Sequence, residues 1–145
     1  MRYLFILAIG LFSTQTLSAQ LSQVIHQTFD IDEVEAISLD IVGEYEIEKW
    51  AGNTVMTETS IQIYDATPSI FKHFVKAGRY EILGENNEAN YQLSSKDTDR
   101  RTIRTKRGDC YEFIKIRVFI PEDFDIVDQK QLVRSVEEAS TTDNN

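Results

Sequence analysis

Residues Val34–Tyr64 read VEAISLDIVGEYEIEKWAGNTVMTETSIQIY, and the rest of the chain is interpretable from them. Ile37, Leu39 and Ile41 fall two apart, with Ser38 and Asp40 between them. That is the period of a strand with one buried face. Gly43 breaks the run, and Tyr45 and Ile47 then alternate with Glu44, Glu46 and Glu48. Trp50 falls on the Glu side at the strand end, where its ring can cover an edge. Ala51-Gly52-Asn53 is turn chemistry, because Gly and Asn tolerate positive φ. Val55, Thr57, Thr59, Ile61 and Ile63 form the next row, with Met56, Glu58, Ser60 and Gln62 opposite. Branched side chains of this kind pack well on a pleated surface. The short Gly-bearing connections predict antiparallel neighbours, since a parallel pair needs a long crossover.

Outward from this stretch, Val24–Ile31 predicts a first strand. Asp30, Asp32, Glu33 and Glu35 cluster between this strand and the next. Their spacing does not match a Ca²⁺-binding EF-hand loop, so they read as a solvated acidic turn. On the other side, Thr67 can cap a helix and Pro68 suits its first position. Ile70, Phe71, Phe74 and Val75 share one helical face and Gly78 is a natural stop. Pro68–Ala77 is therefore predicted as one short helix. Arg79–Leu83 and Asn90–Ser94 read as strands. Cys110–Ile120 is the strongest strand: Ile114, Ile116, Val118 and Ile120 form one row. Tyr111, Phe113, Lys115, Arg117 and Phe119 form a mixed, partly covered row opposite, and Pro121 closes it. Phe124–Val127 reads as a last short strand, and Asp128–Glu138 as a helical extension.

The chain has 145 residues, consistent with one domain. Met1-Arg2, an apolar run at Tyr3–Phe12 and Leu17-Ser18-Ala19 have the pattern of a cleaved signal peptide. The expected organisation is a signal peptide at 1–19, a β domain at 20–128, and a short helix with a polar tail at 129–145. Export to the periplasm or the extracellular space follows from that pattern. No later segment is apolar enough to span a membrane. Cys110 is the only cysteine, so no internal disulfide can form. It reads as a small buried thiol, with pairing to another chain as the alternative. The formal net charge of −9 disfavours nucleic acid and anionic lipid. The predicted fold is mostly β: an antiparallel sandwich-like or curled sheet, or a solenoid-like one, with one short helix.

Two stretches, TFDIDEVEAISLDIVGEYEIEKWAGN (Thr28–Asn53) and KIRVFIPEDFD (Lys115–Asp125), together with the signal region ending in Ala-Gln, carry a resemblance. The chain resembles bacterial auto-transporter adhesin, or head-domain, proteins of the cell envelope. It is shorter than they are, lacks their Gly/Asn-rich ladder of repeats and inserts the Pro68–Ala77 segment. The resemblance implies a surface or periplasmic β domain and carries no functional residues across.

Catalytic constellations are sparse. His26 and His73 are the only histidines, and neither has metal-ligand spacing. No metal or cofactor is expected. A site from a His, Cys110 and a carboxylate has no spacing to select it. Glu44, Glu46 and Glu48 read as an edge-protecting surface. No phosphate-cradling Gly-rich loop or GxSxG elbow occurs. The sharpest charge feature is basic: Lys96, Arg100, Arg101, Arg104, Lys106 and Arg107. Such a cluster suits an anionic partner, either an envelope protein or a glycan. It could equally dock on the acidic Asp30–Glu48 face of a second copy, or be a charged hairpin in water. The expected function is a non-enzymatic, exported, adhesin-like binding module using this cluster with Tyr111 and Trp50. A self-associating structural subunit and a small hydrolase are the alternatives.

Overall fold

The computed structural model describes residues 20–31 and 33–135. The signal-peptide reading and the polar tail after Ser135 lie outside the described residues. The chain is mostly β and sandwich-like, with one helix among the described residues.

The first sheet contains β1 (Leu21–Phe29), β3 (Tyr45–Trp50), β4 (Val55–Tyr64) and β9 (Tyr111–Pro121), in the order β1-β4-β9-β3. The second contains β2 (Ala36–Asp40), β5 (Ile82–Asn87), β6 (Asn90–Ser95), β10 (Phe124–Ile126) and β11 (Gln131–Arg134), in the order β10-β11-β2-β6-β5. A small hairpin pairs β7 (Arg104–Thr105) with β8 (Gly108–Asp109). The alternating rows become the shared core. Val55, Ile116, Val118 and Ile120 from one sheet meet Ile37, Leu39, Leu93 and Leu132 from the other. Burying each such side chain stabilises the fold by about 1.5–3 kcal/mol. The row also buries Thr57 and Thr59 completely, and neither hydroxyl has a hydrogen-bond partner among the described residues.

The antiparallel pairing expected across the Gly-bearing connections is not found. Strands β2, β3 and β4 do not pair with one another. β2 and β3 belong to different sheets, and the chain crosses between them through Gly43 at φ +96°. β9 inserts between β3 and β4, antiparallel to β4 and parallel to β3. A strand placed between the two arms of a reversing chain must run parallel to one of them. β2 and β6 are also parallel.

The helix α1 spans Pro68–Lys76. Thr67 Oγ1 accepts from the Ile70 N–H at 3.3 Å. At the other end Arg79 N–H donates to Phe74 O and Gly78 N–H to Val75 O, both at 3.1 Å. This six-to-one and five-to-two closure uses Gly78 at φ +79°, the conformation glycine adopts without penalty. It corrects one expectation: Arg79 and Tyr80 are drawn inward by this turn, and the strand begins at Ile82. The helix lays Phe71 on Ile61, Ile63, Tyr80 and Ile103, forming a second core cluster.

The expected helix after Asp128 is also corrected. The Asp128 carboxylate accepts from Lys130 N–H at 2.7 Å and Gln131 N–H at 2.8 Å. That bonding makes a turn, and β11 returns against β10 and β2 with Leu132 fully buried. The β domain therefore runs past residue 128 to Arg134.

Candidate functional site

The six basic residues do not form one patch. Lys96 Nζ is 2.5 Å from Glu81 Oε2, Arg101 Nε is 2.9 Å from Asp99 Oδ2, and Arg104 Nε is 3.7 Å from Asp109 Oδ1. Lys106 and Arg107 occupy the turn between β7 and β8, and their side-chain cations form no ion pair among the described residues. Arg100 turns inward. Its Nε and Nη2 are buried without a hydrogen-bond partner among the described residues. Burial, followed by the neighbouring Arg79 charge, lowers its pKa from the ordinary arginine value.

Beside Arg100 lies a charged cluster with no sequence signal. Arg79, with its side chain only 6% exposed, grips Glu112 side-on: Nε to Oε1 at 2.9 Å and Nη2 to Oε2 at 2.6 Å. Arg79 also reaches Asp97 Oδ2 at 3.3 Å and the Arg101 carbonyl at 2.7 Å. Tyr80 donates its hydroxyl to Glu112 Oε1 at 2.5 Å. Burial raises the Tyr80 pKa, and its bond to Glu112 adds to that. Burial acts to raise the Glu112 carboxyl, but the bonds from Arg79 and Tyr80 outweigh it and leave its pKa below the usual value. Every carboxylate oxygen of Glu112 is engaged, so this cluster holds the 95–110 segment against the sheet.

The outer face of the first sheet divides into two regions. Near β3, Arg117 forks onto Glu48 with two contacts of 2.8 Å and reaches Glu58 at 3.2 Å, and Glu58 also contacts His26 at 3.2 Å. Lys115 pairs with Glu46 at 3.2 Å. Of the expected acidic Asp30–Glu48 face, Glu46 and Glu48 are therefore paired with cations of β9. The Arg117 bonds lower the Glu48 carboxyl, and His26 followed by Arg117 lowers that of Glu58.

The other region is aromatic. Tyr111 and Phe113 are each 63% exposed at the start of β9. Tyr64 stands across from Tyr111 in the register and meets the Phe113 ring edge-on at 5.7 Å. β3 pairs only with Ile116–Pro121, so among the described residues the earlier half of β9 has a strand neighbour on the β4 side alone. A groove of about 600 Å³ lies beside it, lined by Glu44, Tyr45, Glu46, Lys115 and Gln129 among others. The basic hairpin leads through Cys110 directly into Tyr111, which brings Lys106 and Arg107 to this end of the sheet by chain continuity.

Trp50 is not part of this region. It pairs with Pro121 at the far end of β9, roughly 30 Å from Tyr111 at the rise of a strand. Its Nε1 donates to Thr54 O at 2.9 Å, and its ring lies over Gly52, where an added Cβ would come within 2.2 Å of it. The remaining reactive types sit apart: His26 with Glu58, His73 against the Phe74 ring at 5.3 Å, and Cys110 buried with Sγ 3.5 Å from the Asp65 carbonyl. Burial raises the Cys110 pKa, with Asp65, Glu112 and Asp109 adding to it. Among the described residues no group of three His, Cys, Asp or Glu side chains is gathered as a metal ion would require.

Fold and surface together define a mostly β, sandwich-like domain carrying an exposed aromatic row. Compared with family models, curated proteins and solved structures, the chain has no match.

Proposed function

We propose that the chain is a non-enzymatic, adhesin-like binding module of the cell envelope, whose working surface is the first half of β9 with the adjoining hairpin tip. The observation that carries this reading is the pair Tyr111 and Phe113, both 63% exposed side by side on one sheet face and backed by Tyr64. Large rings held open to water on a rigid strand are costly unless something covers them. A flat aromatic row suits the C–H faces of sugar rings. Lys106 and Arg107 supply cations for carboxylate or phosphate substituents, so the occupant is an anionic glycan. The signal-like pattern at 1–19 supports an envelope location.

Calorimetric titration with polygalacturonate, using neutral dextran as the control, tests this. Binding of the anionic polymer alone is expected, weakening as salt is raised. Phe113→Ala should weaken it about tenfold or more, equivalent to about 1.4 kcal/mol. Arg107→Glu should weaken it and reduce the salt dependence. Failure to bind, or binding unchanged in Phe113→Ala, removes the aromatic row from the account.

A further inference from the structure

The edge strand β1 is chemically palindromic. Its sequence is LSQVIHQTF, and folded about Ile25 it sets Leu21 against Phe29, Ser22 against Thr28, Gln23 against Gln27, and Val24 against His26. We propose that two copies of the chain pair antiparallel through this strand, with the two-fold axis at Ile25, joining two four-stranded sheets into one.

Four observations carry the proposal. First, β1 is an edge, and among the described residues its backbone bonds only to β4. Second, it lacks the usual protection. Nine residues contain no Lys, Arg, Asp, Glu or Pro, whereas the opposite edge β3 carries Glu46, Glu48 and Lys49. The edges of the second sheet are shorter: β10 has three residues, and β5 has six, including Gly84 and Glu85.

Third, one register matches like with like along the whole strand. Cross-strand partners share a face, so the sum of their numbers must be even for the two sheets to keep the same inside. Centring on Ile25 puts apolar on apolar and amide on amide along the inner row. Centring on Val24 or His26 instead sets Ile25 against Gln23 or Gln27, and pairs Leu21 or Phe29 with an amide. Fourth, the side chains that pairing would cover are those left partly open: Val24 is 50% exposed, and Leu21, Ile25 and Phe29 are half-buried. A two-fold axis perpendicular to the sheet keeps both aromatic rows on one face, so the dimer would present Phe113 twice. The pairing itself does not depend on what that row binds.

Light scattering on the purified chain tests the pairing. The mass should be twice the monomer value at high concentration, and Val24→Lys should return it to one chain by placing a charge on the edge opposite His26 of the second copy. A second measurement covers the possibility that this variant folds poorly. In a Cys110→Ser background, Val24→Cys protein mixed with His26→Cys protein should form an interchain disulfide under mild oxidation, while each alone should not. Monomer mass throughout, a dimer unaffected by Val24→Lys, or cross-linking as efficient without mixing overturns the proposal. Loss of glycan binding in Phe113→Ala with the dimer intact separates this proposal from the glycan reading.

Discussion

Replacing Glu112 with Leu should be among the most damaging single changes in this chain. The carboxylate receives two bonds from Arg79 and one from Tyr80, at 2.5–2.9 Å, and its side chain is 12% exposed against 6% for Arg79. Removing it leaves the buried Arg79 guanidinium with Asp97 and one carbonyl, next to an Arg100 whose Nε and Nη2 already lack hydrogen-bond partners among the described residues. Orphaning one member of a buried ion pair typically costs about 3–5 kcal/mol. That is a large share of the about 5–15 kcal/mol by which a domain is stable. Urea unfolding at pH 7 measures the loss as a shift in midpoint at constant slope. Arg79→Met combined with Glu112→Leu should recover most of it, because the double change removes both charges. The pH dependence has a fixed sign. The folded carboxyl titrates below the ordinary value of 4.5, so its contribution is complete above that pH and is lost as pH falls through the folded value. The gap between wild type and Glu112→Leu should therefore narrow on acidification. A loss below about 1 kcal/mol at pH 7, or a double variant as unstable as the single one, would refute the reasoning.

Arg100→Leu should be neutral or raise the thermal midpoint, since it removes a charge whose Nε and Nη2 are buried without partners; a drop equivalent to more than about 1 kcal/mol would show that Arg100 has a stabilising contact. Thr57→Val and Thr59→Val each remove a fully buried, unpartnered hydroxyl and should each add about 1 kcal/mol in urea melts, and a loss in both would mean the hydroxyls are satisfied. Gly52→Ala should push the Trp50 ring off its turn and shift the emission of the only tryptophan, whereas an unchanged spectrum would contradict that contact.

The strands were legible because burial imposes a period of two: the rows Val55–Ile63 and Ile114–Ile120 are the rows that meet in the core. The helix was legible because Thr67, Pro68 and Gly78 mark its ends chemically. Strand partners were not legible. Nothing local at Gly52 indicates that a strand from much later in the chain will enter between β3 and β4. The segment after Asp128 misled because Leu132, Val133 and Val136 have helical spacing, while one aspartate side chain captures two backbone N–H groups and makes a turn. At the surface, the basic run was visible as charge but not as pairing, although Asp97, Asp99 and Asp109 were already interleaved with it. The Arg79–Glu112 grip joins residues far apart in sequence and has no local sign. The mixed row containing Tyr111 and Phe113 was readable as incompletely covered, and it is.

The insertion of β9 between β3 and β4 also sets the order in which this molecule can assemble. Tyr45 has no ladder partner until Ile116 arrives, and Trp50 must wait for Pro121. Residues through Pro121 must be made before the first sheet can close. Contacts of such long sequence separation make folding slow. The first sheet is therefore completed late, although β1 and β4 can pair before β9 is made. A chain cut short before β9 would retain the antiparallel pair of β1 and β4 but leave β3 without its ladder partner.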